Sequence, residues 1–269
     1  MNKTTISFLA IFAIIASLLL ISCSKEEKNE INDNNGKLKS IQDGYSAIAM
    51  AAEQHNKALD YIYTELQNAK DKKILDFTDK SAILSFVDAS LTEFIQNNEV
   101  PDVVTNSALA LDIYHQLNFD GSQTAESFYT QSQATHLSAK QIELLDDLND
   151  AIDPTSLSNT LSAWQYIGTR AENECSGNDK YIVLAAISIG SASFDYWENN
   201  MDKWRLLLEN SSRVNWGGVG RNDIAGGVGA EVTYGVYALL IPPFGWGALG
   251  ASVLAGAAGA SAATIIAEW

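Results

Sequence analysis

Residues 41–69 read IQDGYSAIAMAAEQHNKALDYIYTELQNA. Within them Ile41, Tyr45, Ile48, Ala52, His55, Leu59, Ile62, Leu66 and Ala69 recur at alternating steps of four and three, which places them along one seam of a helix. The pattern predicts a single helix about 40 Å long at 1.5 Å per residue. His55 falls inside this seam. No second histidine stands at helical spacing from it, so the expected role is a neutral, hydrogen-bonded core residue rather than a metal ligand or a catalytic base.

The same periodicity continues downstream. Asp79 or Ser81 can cap a second helix that carries Ile83, Val87, Leu91 and Phe94 on one face, with Asn97, Asn98 and Pro101 ending it. A third is expected over 102–117 through Val104, Ala108, Leu111 and Tyr114. Asp112 and His115 lie one turn apart there, an unspecific pairing that belongs to the surface. Phe119-Asp120-Gly121-Ser122 reads as a turn, and 128–135 as a weakly patterned helical stretch. Ser138 and Gln141 have the spacing of a capping box. The helix they start is expected to bury Ile142, Leu145, Leu148 and Ile152 and to close at Pro154. Its outer face carries Glu143, Asp146, Asp147 and Asp150, and lacks the glycine and spacing of a calcium-binding loop. That acidic face is therefore read as solvated. Leu157, Leu161, Trp164 and Gly168 mark another helix. Residues 181–208 form the longest later one: apolar on nearly every side up to Ala192, as in a buried central helix, then amphipathic with Trp197, Met201, Trp204 and Leu208 on a single stripe read as core.

Composition agrees with a helical chain and limits its partners. Only four prolines occur in 269 residues, which favours long helices over many short strands. Lys and Arg number 17 against 33 Asp and Glu, a formal net charge of −16. That balance argues against nucleic acid as a partner, because phosphate recognition needs a basic face. No glycine-rich phosphate loop, paired-cysteine or HExxH metal motif, or nucleophile elbow is present. The expectation is a protein that is not an enzyme, with no catalytic residue, no metal and no cofactor. Cys23 and Cys175 are the two cysteines; Cys175 sits in a turn-like stretch, 173–178, without an activating basic neighbour in sequence, and is read as structural.

The first residues carry an address. A polar start with Lys3 leads into an apolar run, 6–21, that ends Leu20-Ile21-Ser22-Cys23. Over residues 1–23 the chain resembles a bacterial lipoprotein signal with its lipobox. The resemblance implies diacylation of the Cys23 sulfur, cleavage after Ser22 and acylation of the new amino terminus. Several acyl chains would hold the protein firmly on a bilayer, at about 0.8 kcal/mol per buried methylene. Lys25-Glu26-Glu27 resembles the Lys-acidic-acidic tag that takes some lipoproteins to the cell surface. Together these imply an outer-membrane lipoprotein facing the cell exterior. Its expected organisation is a signal peptide over 1–22, a flexible polar tether over 23–40, a helical body over 41–210, and an apolar hairpin over 211–269 packed on the body.

That last region is the least ordinary in composition. Asn215-Trp216-Gly217-Gly218-Val219-Gly220-Arg221 reads as a loop, and Asn222 or Asp223 as a cap. From Val232 to Ala267 there is no charged residue, and Pro242-Pro243 divides the tail into two helical arms, the first holding Glu231. On the second arm Ala248, Ser252, Gly256, Ala260 and Thr264 recur every four positions, beside Gly247, Ala251, Ala255, Gly259 and Ala263. Two adjacent ridges of small side chains let another helix approach closely. The face formed by Gly247, Ala248, Ala251, Ser252, Gly256, Gly259 and Ala260 is thus a helix-packing or membrane face. In texture the tail resembles the glycine-zipper segments of class II bacteriocin-type peptides, and the plan of a helical body holding an apolar hairpin resembles, in architecture alone, that of pore-forming colicins.

Three readings of the hairpin stand: the buried centre of one bundle, a membrane-inserting element, or a surface that docks a partner or a second copy. The fold expected is all-α, a multi-helix bundle with a C-terminal Gly/Ala-rich apolar helical hairpin. The function expected is that of a lipid-anchored envelope protein that binds or organises other envelope components, with an envelope protein or its own copy as partner beside the bilayer. The alternatives are a membrane-active effector that exposes the hairpin and an immunity protein against one.

Overall fold

A computed structural model describes residues 34–97, 128–129, 134–153, 156–177, 179–208, 257–262 and 266. Among the described residues every regular element is a helix and none is a strand, so the fold is an all-α, multi-helix bundle. The chain divides into two units, Met1–Gln42 and Asp43–Trp269, and the packing that follows lies within the second. The helix expected over 102–117 with Asp112 and His115, the turn at 119–122, the loop 215–221, and the first arm with Pro242-Pro243 lie outside the described residues.

The first helix, α1 (Asn34–Asp71), begins ahead of Ile41, the start of the seam, in residues assigned above to the polar tether. Every seam position from Ile48 onward is buried: Ile48, Ala52, His55, Leu59, Ile62, Leu66 and Ala69. Its end is a left-handed cap. The Ile74 amide donates to the Ala69 carbonyl at 3.1 Å and the Lys73 amide to that of Lys70 at 3.0 Å, with Lys73 at φ 55°. The chain then turns through Asp76, whose carboxylate accepts from the amide and hydroxyl of Thr78 at 2.8 and 2.7 Å. Helix α2 (Lys80–Asn97) follows. Asp79, not Ser81, is its cap: the carboxylate accepts from the Ala82 amide at 3.1 Å. Its buried positions include the expected Ile83, Val87, Leu91 and Phe94.

Helix α3 (Ala139–Asp150) starts with the capping box read from the sequence. The Ser138 hydroxyl accepts from the Gln141 amide at 3.3 Å, and the Gln141 side-chain carbonyl accepts from the Ser138 amide at 2.8 Å. Of the expected face, Leu145, Leu148 and Ile152 are buried, and Gln141 and Leu144 widen it. Ile142 is only half-buried. The buried Gln141 amide nitrogen donates 2.9 Å to the Asp179 carbonyl, which gives this inward polar group a partner. Helix α4 (Leu157–Glu174) is capped by the Ser156 hydroxyl, which accepts from the Asn159 amide at 3.3 Å. Trp164 is buried on α4 and its indole N–H donates 2.9 Å to the Leu148 carbonyl of α3. Helix α5 (Lys180–Leu208) is buried continuously from Tyr181 to Ala186, in keeping with its apolar start.

Two apolar cores meet on α5. Its first half packs with α3, α4, Phe128 and Ile48, around Trp164 and Phe194, whose ring centroids are 5.4 Å apart. Its second half packs with Leu59, Ile62 and Leu66 of the α1 seam and the adjoining Ala58, with α2, and with Ala258, Ala262 and Ile266. At 29 residues α5 is about 43 Å long, enough to serve both cores in turn.

Candidate functional site

A set of interlocking aromatic and polar side chains lies on the second half of α5. Trp197 and Trp204, seven positions apart, lie almost in line on a 3.6-residue turn, and Tyr196 lies within about 100° of both on the same side of the helix. Tyr196 and Trp197 meet edge to face with ring centroids 5.1 Å apart, as do Trp197 and Trp204 at 5.4 Å, while Tyr63 of α1 lies tilted against Trp204 at 5.5 Å. Their polar atoms form a chain out to the surface. The Trp204 indole N–H donates to the Tyr196 hydroxyl at 3.1 Å, and that hydroxyl donates to the Asp60 carboxylate at 3.2 Å. The Lys203 ammonium reaches the same carboxylate at 2.8 Å and lies 4.6 Å from the Tyr63 ring centre. Burial pushes the Tyr196 phenol well above its ordinary range, which keeps it a neutral hydroxyl donor. Nearby, the Lys70 ammonium donates 2.6 Å to the Leu207 carbonyl, capping the end of α5 from α1.

The described part of the tail packs into the same core as this cluster. Residues 257–262 are helical and all six are buried, as is Ile266. The Trp197 indole N–H donates to the Ser261 hydroxyl at 3.1 Å, a contact buried at both ends. Of the small-residue face, Gly259 and Ala260 are described and buried; Gly247, Ala248, Ala251, Ser252 and Gly256 lie outside the described residues, as do Cys23 and Lys25, Glu26 and Glu27. Among the described residues no helix is long and apolar enough to cross a membrane.

A second cluster joins α3 to α4. Arg170 donates to Glu174 at 3.0 Å and also pairs with Asp147 and Glu143, while Lys140 bridges Glu143 at 2.6 Å and Glu174 at 2.9 Å. The hydrogen bonds from Arg170, then Lys140, hold the Glu174 carboxyl down at about 2, and the same carboxylates raise the guanidinium further. The acidic face of α3, read as simply solvated, is thus partly neutralised by a cation from the next helix. Nothing in α3 itself announces that cation. The legible signal was the Arg170–Glu174 spacing of four on α4. Exposed pairs of this kind contribute little individually; the network fixes how α3 meets α4.

The remaining sequence candidates fall into structural places. His55 is fully buried, with its Nδ1 atom 2.8 Å from the Asn56 side-chain oxygen. Cys175 caps the end of α4 and carries a free thiol; burial first, then the nearby Asp179 carboxylate, pushes its titration up, away from the reactive thiolate. Trp197, Met201, Trp204 and Leu208 are core. Among the described residues no group of three or more His, Cys, Asp and Glu side chains converges to hold a metal ion. No family model, curated protein or solved structure matches the chain.

Proposed function

We propose that this chain is a cell-envelope lipoprotein, anchored through acyl groups on Cys23 to the outer membrane, displayed on the cell exterior, and acting as a binding or interaction protein. The observation that carries the reading is Leu20-Ile21-Ser22-Cys23 at the end of the apolar run 6–21. Lys25-Glu26-Glu27, one residue beyond the anchor, supports display. In this reading acyl chains attach the protein to the bilayer, and the helical body presents a rigid surface to an envelope partner or to a second copy.

Metabolic labelling with an alkyne fatty acid tests the anchor. The parent protein is expected to incorporate label and the Cys23→Ala variant to lose it; label retained on the variant overturns the assignment. Protease treatment of intact cells tests display. The body is expected to be removed from the parent and protected when Lys25, Glu26 and Glu27 are replaced by Ala, and full protection of the parent refutes surface exposure. Leakage of dye-loaded vesicles on adding protein that lacks residues 1–22, at acid or neutral pH, would replace the interaction role with that of a membrane-active effector.

A further inference from the structure

We draw no further inference here: the strongest candidate, the outer face of α4 where Tyr166 stands exposed among Ser162, Gln165 and Thr169, is an unpartnered surface patch, and nothing in the structure shows what covers it.

Discussion

Lys73 holds a backbone conformation that side chains other than glycine adopt at a cost, φ 55°, in order to complete the cap of α1. Replacing it with glycine removes that cost, partly offset by the greater freedom of glycine in the unfolded chain. Lys73→Gly is expected to raise stability by about 0.5–1 kcal/mol in denaturant melts; a lower midpoint would show that the lysine side chain matters more than its backbone. Glu174 gives a pH dependence with a defined sign. Its carboxyl titrates at about 2 in the folded protein against an ordinary 4.5. The stabilisation is therefore complete above about 4.5 and is lost as pH falls toward about 2. Glu174→Gln should flatten the acid side of the stability profile in that window, and an unchanged profile would mean that Arg170 does not hold the carboxylate in solution. The Ser138–Gln141 cap was legible at this scale because both partners sit within one turn. The second bond of Gln141 reaches Asp179, 38 residues on in the turn before α5, and no local pattern announces it.

Helix α4 meets α5 closely at Gly168. A methyl built there would lie 3.3 Å from the end of the Ile187 side chain and 3.8 Å from Leu184. Ile187 is only half-buried, so its terminal carbon can move by the few tenths of an ångström required. Gly168→Ala is expected to be neutral or to stabilise by up to about 1 kcal/mol, the helix-propensity gain over glycine. Gly168→Leu has no such room and is expected to cost about 1–3 kcal/mol. Thermal melts of the two variants check this; equal melting temperatures would mean that the helices do not approach as closely as described. The glycine was readable as part of an apolar stripe, but its reason, the branched side chain across the interface, was not.

At the scale of the whole molecule, the described C-terminal segment belongs to the same core as α1, α2 and the second half of α5. Ala258 and Ala262 are completely buried there. Enlarging either to Leu is expected to destabilise by about 1–3 kcal/mol, because a packed core has no space for added methylenes. A melting temperature unchanged by both substitutions would show that this segment does not sit in the core in solution.

The class of the fold, the seam of α1, the cap at Ser138 and the stripe Trp197–Met201–Trp204–Leu208 follow from the sequence by itself. They depend on hydrogen bonds within a turn and on a period of 3.6 residues, both of which neighbouring residues specify. At α2 the sequence offers Asp79 or Ser81, and the structure selects Asp79. Tertiary structure alone decided that α5 divides its length between two cores, that Arg170 answers the acids of α3, and that Ser261 accepts from Trp197. Those partners are far apart in the chain. Which apolar stripe covers which is settled by the joint burial of several helices, a sum that no single stretch of sequence contains.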